Sequence, residues 1–90
     1  CLMKEILTIL NEECAEVIQC SAKLQRFGVN DEKNQKKLEA ELGDVMAMML
    51  ILNYYGMVER TAIEKQIKRK LKKLKRFSQI ECIDEVLKEL

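Results

Sequence analysis

The chain has no proline, no histidine and no tryptophan, and among its 90 residues only three are glycine and four are aromatic. Each shortage excludes something. A β-sandwich or barrel needs a turn signal about every 8–12 residues and many aromatic and β-branched positions, and a doubly wound α/β fold needs a longer chain. Without histidine the commonest general base is missing, so catalysis would have to rest on carboxylates, lysines or a metal. Long apolar runs are missing as well: the longest uncharged stretch, residues 45–58, falls short of the roughly 20 residues that span a bilayer. No basic segment leads into an apolar stretch with a small-residue cleavage site, which makes the cytoplasm the expected compartment and leaves no membrane partner. At 48% hydrophobic the chain is too apolar for disorder, and one small all-α domain over residues 1–90 is expected.

Cys1, Cys14, Cys20 and Cys82 show no close pairing. They read as four free thiols, since zinc would have to use scattered cysteines and a helix-rich chain of this composition is not a disulfide scaffold. The net charge of +1 hides an uneven distribution: residues 1–64 carry 7 basic and 11 acidic side chains, residues 65–76 carry 8 basic and none acidic, and residues 77–90 carry 1 and 4. A dense cationic segment beside an anionic body suits nucleic acid or a phosphorylated small molecule.

Four helices are expected. The first runs over Leu2–Phe27 and stops at Gly28; the second starts from a cap at Asn30 or Asp31 and reaches Tyr55, where Gly56 ends it. Thr61-Ala62-Ile63-Glu64 and Ser78-Gln79-Ile80-Glu81 each fit a capping box, which opens a third helix ending near Phe77 and a fourth ending at Leu90. The second helix is apolar on every side from Val45 to Leu52, more than three other short helices can cover, so a second subunit, most simply in a two-fold dimer, is expected to complete the bundle.

At 100° per residue the first helix has an apolar stripe of Leu2, Ile6, Leu10, Val17 and Leu24, and Glu13 lies inside it. Glu16 sits at its edge and Glu12 on the flank. On the second helix Leu38, Leu42, Val45, Met49 and Leu52 define the main face, with Glu41 about 60° from its centre and Asp44 further round. A carboxylate on a core-facing stripe is costly unless a cation meets it, and two i, i+3 pairs on facing helices can enclose one. Glu13, Glu16, Glu41 and Asp44 are therefore candidate metal ligands. Four carboxylates without imidazole favour Mg²⁺, with Mn²⁺ as the alternative, and Mg²⁺ commonly brings a phosphate-bearing ligand.

In the third helix Ile63, Ile67, Leu71, Leu74 and Phe77 form the expected buried stripe. Lys70 falls within it and either pairs with phosphate oxygens, flanked by Lys73 and Gln66, or packs its stem and sends its charge out to water, whereas Lys65, Lys68, Lys72 and Lys75 point the other way. Those outward lysines read as a solvated face; nucleic acid ranks second because no aromatic residues are interleaved for base stacking.

Glu12-Glu13-Cys14-Ala15-Glu16 followed by Glu41-Leu42-Gly43-Asp44 resembles the EExxE…ExxD signature of the MazG-type all-α nucleoside triphosphate pyrophosphohydrolases. The resemblance covers roughly residues 1–77. It implies a four-helix MazG-like bundle assembled as dimers or tetramers, and an enzyme that hydrolyses a nucleoside triphosphate between its α and β phosphates to the monophosphate and pyrophosphate. It further implies Glu13, Glu16, Glu41 and Asp44 as Mg²⁺ ligands, Glu12 as the carboxylate that orients or deprotonates water, and Lys70 as a substrate contact that stabilises the leaving pyrophosphate. Leu74 stands where that family often has an asparagine four positions after the lysine. The related phosphoribosyl-ATP branch usually has a tyrosine-histidine pair where Met48 and Met49 stand here, which disfavours it. The competing expectation from charge alone is a non-catalytic helical dimer that binds nucleic acid or protein through residues 65–76.

Overall fold

The computed structural model describes all 90 residues and is all-helical: α1 Leu2–Phe27, α2 Glu32–Tyr54, α3 Arg60–Phe77 and α4 Ile83–Lys88. Two compact units divide it, Cys1–Met57 and Val58–Leu90. The first is a hairpin of α1 and α2. Its turn follows the chemistry of its residues: Gly28 takes φ +130°, a region that favours glycine, and its N–H donates to the Leu24 carbonyl. Asp31, not Asn30, caps α2, accepting from the Asn34 N–H at 3.1 Å, and the Gln35 side chain donates to the Val29 carbonyl at 2.7 Å. At the far end Gly56, with φ +74°, lets the chain leave α2 one residue earlier than expected.

Between the helices the core is small. Ile6, Cys20 and Leu24 of α1 and Met48 and Leu52 of α2 are buried, with Leu10, Val17, Leu38 and Val45 half-buried. Leu2, expected in the stripe, is exposed near the chain end, and Cys20, which sequence patterning left out, is the most deeply enclosed side chain. Its thiol donates to the Asn34 carbonyl at 3.3 Å, tying the two helices together close to the turn.

The packed face of α2 differs from the expected one. Leu38, Glu41, Val45, Met48 and Leu52 face inward, while Leu42 is exposed. The physical reason is the uniform greasiness of the helix: when every side is apolar, periodicity cannot select the face, and the partner helix does. The opposite side, with Leu42, Met46, Leu50 and Tyr54, is left exposed, Met46 to 59%.

In the second unit α3 packs on α4. Neither capping box forms. Glu59 precedes α3 without a side-chain cap, Thr61 lies inside the first turn, and Glu64 pairs instead with Arg60 at 3.4 Å. Ser78 closes α3 rather than opening α4: its hydroxyl donates to the Leu74 carbonyl at 2.7 Å and accepts from the Ile80 N–H, and α4 starts only at Ile83 and ends at Lys88. Hydroxyl groups serve either end of a helix, and here the nearer carbonyl wins. The expected buried stripe of α3 is open: Ile63, Leu71 and Leu74 are half-buried, and Ile67 and Phe77 are exposed. Lys75, expected to point into solvent, bonds both Asp84 oxygens at 2.8 and 3.1 Å, an exposed pair worth about 0–1 kcal/mol.

Candidate metal centre

Antiparallel pairing of α1 and α2 sets Glu13 and Glu16 opposite Glu41 and Asp44. One oxygen from each of the four lies within 4.8 Å of all the others. The i, i+3 spacing puts each pair on one ridge of its helix, and the hairpin turn fixes the register that brings the two ridges together. Glu41 is only 9% exposed and Glu13 half-buried; Glu16 and Asp44 open to solvent. The group thus has a floor on the hydrophobic side and an open rim.

Four like charges in so small a space need compensation. No lysine or arginine forms an ion pair with any of them, and the Oε2 atoms of Glu13 and Glu41 are buried without a hydrogen-bond partner. Ionised carboxylates only accept, so the group cannot satisfy itself. One proton relieves it. The Glu41 carboxyl is pushed up to about 6 from 4.5, first by a hydrogen bond shared with Glu16, then by loss of solvent and by the charges of Glu16, Asp44 and Glu13. Glu13 is raised too, by burial first and then by Glu16, by a hydrogen bond and charge at Asp44, and by Glu12. A divalent cation would replace that proton: two orphaned buried oxygens and an all-carboxylate donor set fit a hard metal ion.

The remaining candidates separate. Glu12 is exposed on the flank of α1, outside the group of four, near enough for its charge to act on Glu13. Lys70 and Gln66 line a shallow apolar hollow along α3 with Ile63, Ile67 and Leu71, and Lys73 is exposed; all three belong to the second unit, the carboxylates to the first. All four cysteines are free thiols, as expected. No helix is long and apolar enough to cross a membrane. Sequence patterning did not single out Lys23 and Lys37, which flank a small polar pocket beside Glu16 and Glu41. The signal was their spacing: Lys23 lies seven residues after Glu16, and Lys37 four before Glu41, so each shares a ridge with a carboxylate.

Comparison with known proteins adds one match. A family model of the MazG nucleotide pyrophosphohydrolase domain covers residues 3–79. No curated protein and no solved structure matches the chain.

Proposed function

The chain belongs to the MazG nucleotide pyrophosphohydrolase family, and from that premise we propose that it hydrolyses a nucleoside triphosphate between the α and β phosphates, with Mg²⁺ held by Glu13, Glu16, Glu41 and Asp44. The observation that carries this is the convergence of the four carboxylates with two buried, unpartnered oxygens. Mn²⁺ is the natural substitute. When bound, the ion supplies charge neutralisation for the polyphosphate and activation of water.

The protein's own groups do the rest. Glu13 lies against Asp44 and Glu16 against Glu41 across the hairpin, so that the four carboxylates close on one place. Glu12, exposed and outside the quartet, takes the proton of the attacking water. The water oxygen bonds to the α phosphorus, the bond from that phosphorus to the bridging oxygen breaks, and the electron pair leaves with pyrophosphate. No covalent nucleophile is required. Lys70, Lys73 and Gln66, all of the second unit, are proposed as substrate-binding residues.

The outward side of α2, Leu42, Met46, Leu50 and Tyr54, is proposed to meet a second copy in a homodimer, or a homotetramer built from it, because an apolar helix face of this extent is costly in water. Four free thiols suit a reducing cytoplasm.

A panel of ribo- and deoxyribonucleoside triphosphates assayed with Mg²⁺ tests the reaction. Equimolar monophosphate and pyrophosphate from at least one substrate is expected; folded protein that turns over none of them contradicts it.

A further inference from the structure

The hairpin holds a second feature, one that sets lysines next to two of the carboxylates. A pocket of about 90 Å³ opens between α1 and α2, lined by Glu16, Gln19, Cys20, Lys23, Lys37 and Glu41. Its floor is built: Cys20 is 2% exposed and its thiol is fixed on the Asn34 carbonyl. Its mouth carries one lysine from each helix. Lys23 follows Glu16 by seven residues and Lys37 precedes Glu41 by four, and neither lysine closes an ion pair with these carboxylates, which lack a counter-charge. One lysine from each helix, on a small polar hollow that Glu16 and Glu41 also line, suits an anion that carries a divalent metal, with the lysines meeting the anion and the carboxylates the metal.

Size decides which part of a nucleotide fits. Sites for drug-sized ligands occupy roughly 300–1,000 Å³. A pocket of about 90 Å³ takes a phosphate group and excludes a nucleoside. We propose that Lys23 and Lys37, with Gln19 beside them, form the subsite for the terminal phosphates, the part that leaves as pyrophosphate. This rests on the hydrolase reading and sharpens it. The substrate then lies along the hairpin seam with its phosphate tail toward the Gly28 turn and its α phosphate at the carboxylates, which leaves the nucleoside on the side away from the turn. As the anhydride bond breaks, the new negative charge develops on the group these two lysines hold.

Inorganic pyrophosphate is the probe. Its affinity for the whole chain is measured by calorimetry in Mg²⁺ buffer, and as an inhibition constant, for the unaltered protein, Lys23→Gln, Lys37→Gln, the double variant, and Lys23→Arg with Lys37→Arg. Pyrophosphate affinity is expected to fall about tenfold for each lysine replaced by glutamine, with KM for the nucleotide rising in step, and to be retained with arginine, which also pairs with phosphate. Helicity should not change, because both lysines are exposed, and Mg²⁺ binding without pyrophosphate should not weaken, because neither is a ligand and each glutamine substitution removes a positive charge. Unchanged pyrophosphate affinity in the double glutamine variant, with the unaltered chain active, overturns the subsite and leaves the hydrolase standing. Absence of turnover by the unaltered chain is the failure of the hydrolase reading itself, and is seen before any variant is made.

Discussion

At Glu41 two costs meet. Its side chain is nine-tenths buried between two helices, and three other carboxylates surround it. In the metal-free chain a proton eases both, which is why this group titrates near 6 rather than 4.5. The consequence for stability has a definite sign. As pH rises from 4.5 to 6 the unfolded chain has given up the proton while the folded chain still holds it, so this group's contribution to stability is greatest below 4.5, is lost through that window and is flat above it. Glu41→Gln keeps the shape and removes the charge. In thermal melts with a chelator, the variant's advantage over the unaltered protein should grow between pH 4.5 and 6 and then level off. A constant difference across that range would show that Glu41 does not titrate there. With Mg²⁺ at pH 7 the order reverses, because only the unaltered chain gains stability from the ion. Turnover in the variant should fall by more than the roughly 10–100-fold that loss of an outer-shell partner costs a metal site.

Among the elements, the caps give the clearest contrast. Asp31 accepts from the Asn34 backbone, so Asp31→Ala should cost about 1 kcal/mol in a urea melt, whereas Asp31→Asn should cost little. Thr61→Ala should be near neutral, because Thr61 lies within α3 and caps nothing. Equal costs at the two positions would contradict the helix starts described above. These sites also mark what could be read in the sequence. The hairpin turn and the end of α2 were legible because Gly28 and Asp31 at the one and Gly56 at the other each have a backbone role that few other residues perform. The capping boxes misled because Thr61 and Ser78 satisfy the pattern while Arg60 and the Leu74 carbonyl claim the partners. Glu13 was legible as a charge inside a clean stripe. The central position of Glu41 was not, since Leu42 and Met49 made a neighbouring face of α2 look equally good, and only burial against α1 distinguishes them. Lys70 stood out on a stripe that the structure leaves open, whereas Lys23 and Lys37 sat on mixed faces and became visible only as a pair from two helices.

For the molecule as a whole, the unburied side of α2 leaves a row of apolar side chains in water. Residues Leu42, Met46 and Leu50 are about half exposed, which in water favours association. Sedimentation velocity should find the unaltered chain as a dimer or tetramer. Met46→Glu with Leu50→Glu should shift it to monomer with helicity kept, since neither side chain packs on α1; an unaltered sedimentation profile would place the interface elsewhere. Inside the hairpin lies the proposed divalent cation centre, with four carboxylates from α1 and α2 as its ligands. The direct measurement is titration of the metal-free chain with Mn²⁺ followed by electron paramagnetic resonance, with Mg²⁺ as competitor. Saturable binding that Mg²⁺ displaces and Glu41→Gln abolishes is the predicted result; equal Mn²⁺ binding by the folded variant would contradict it.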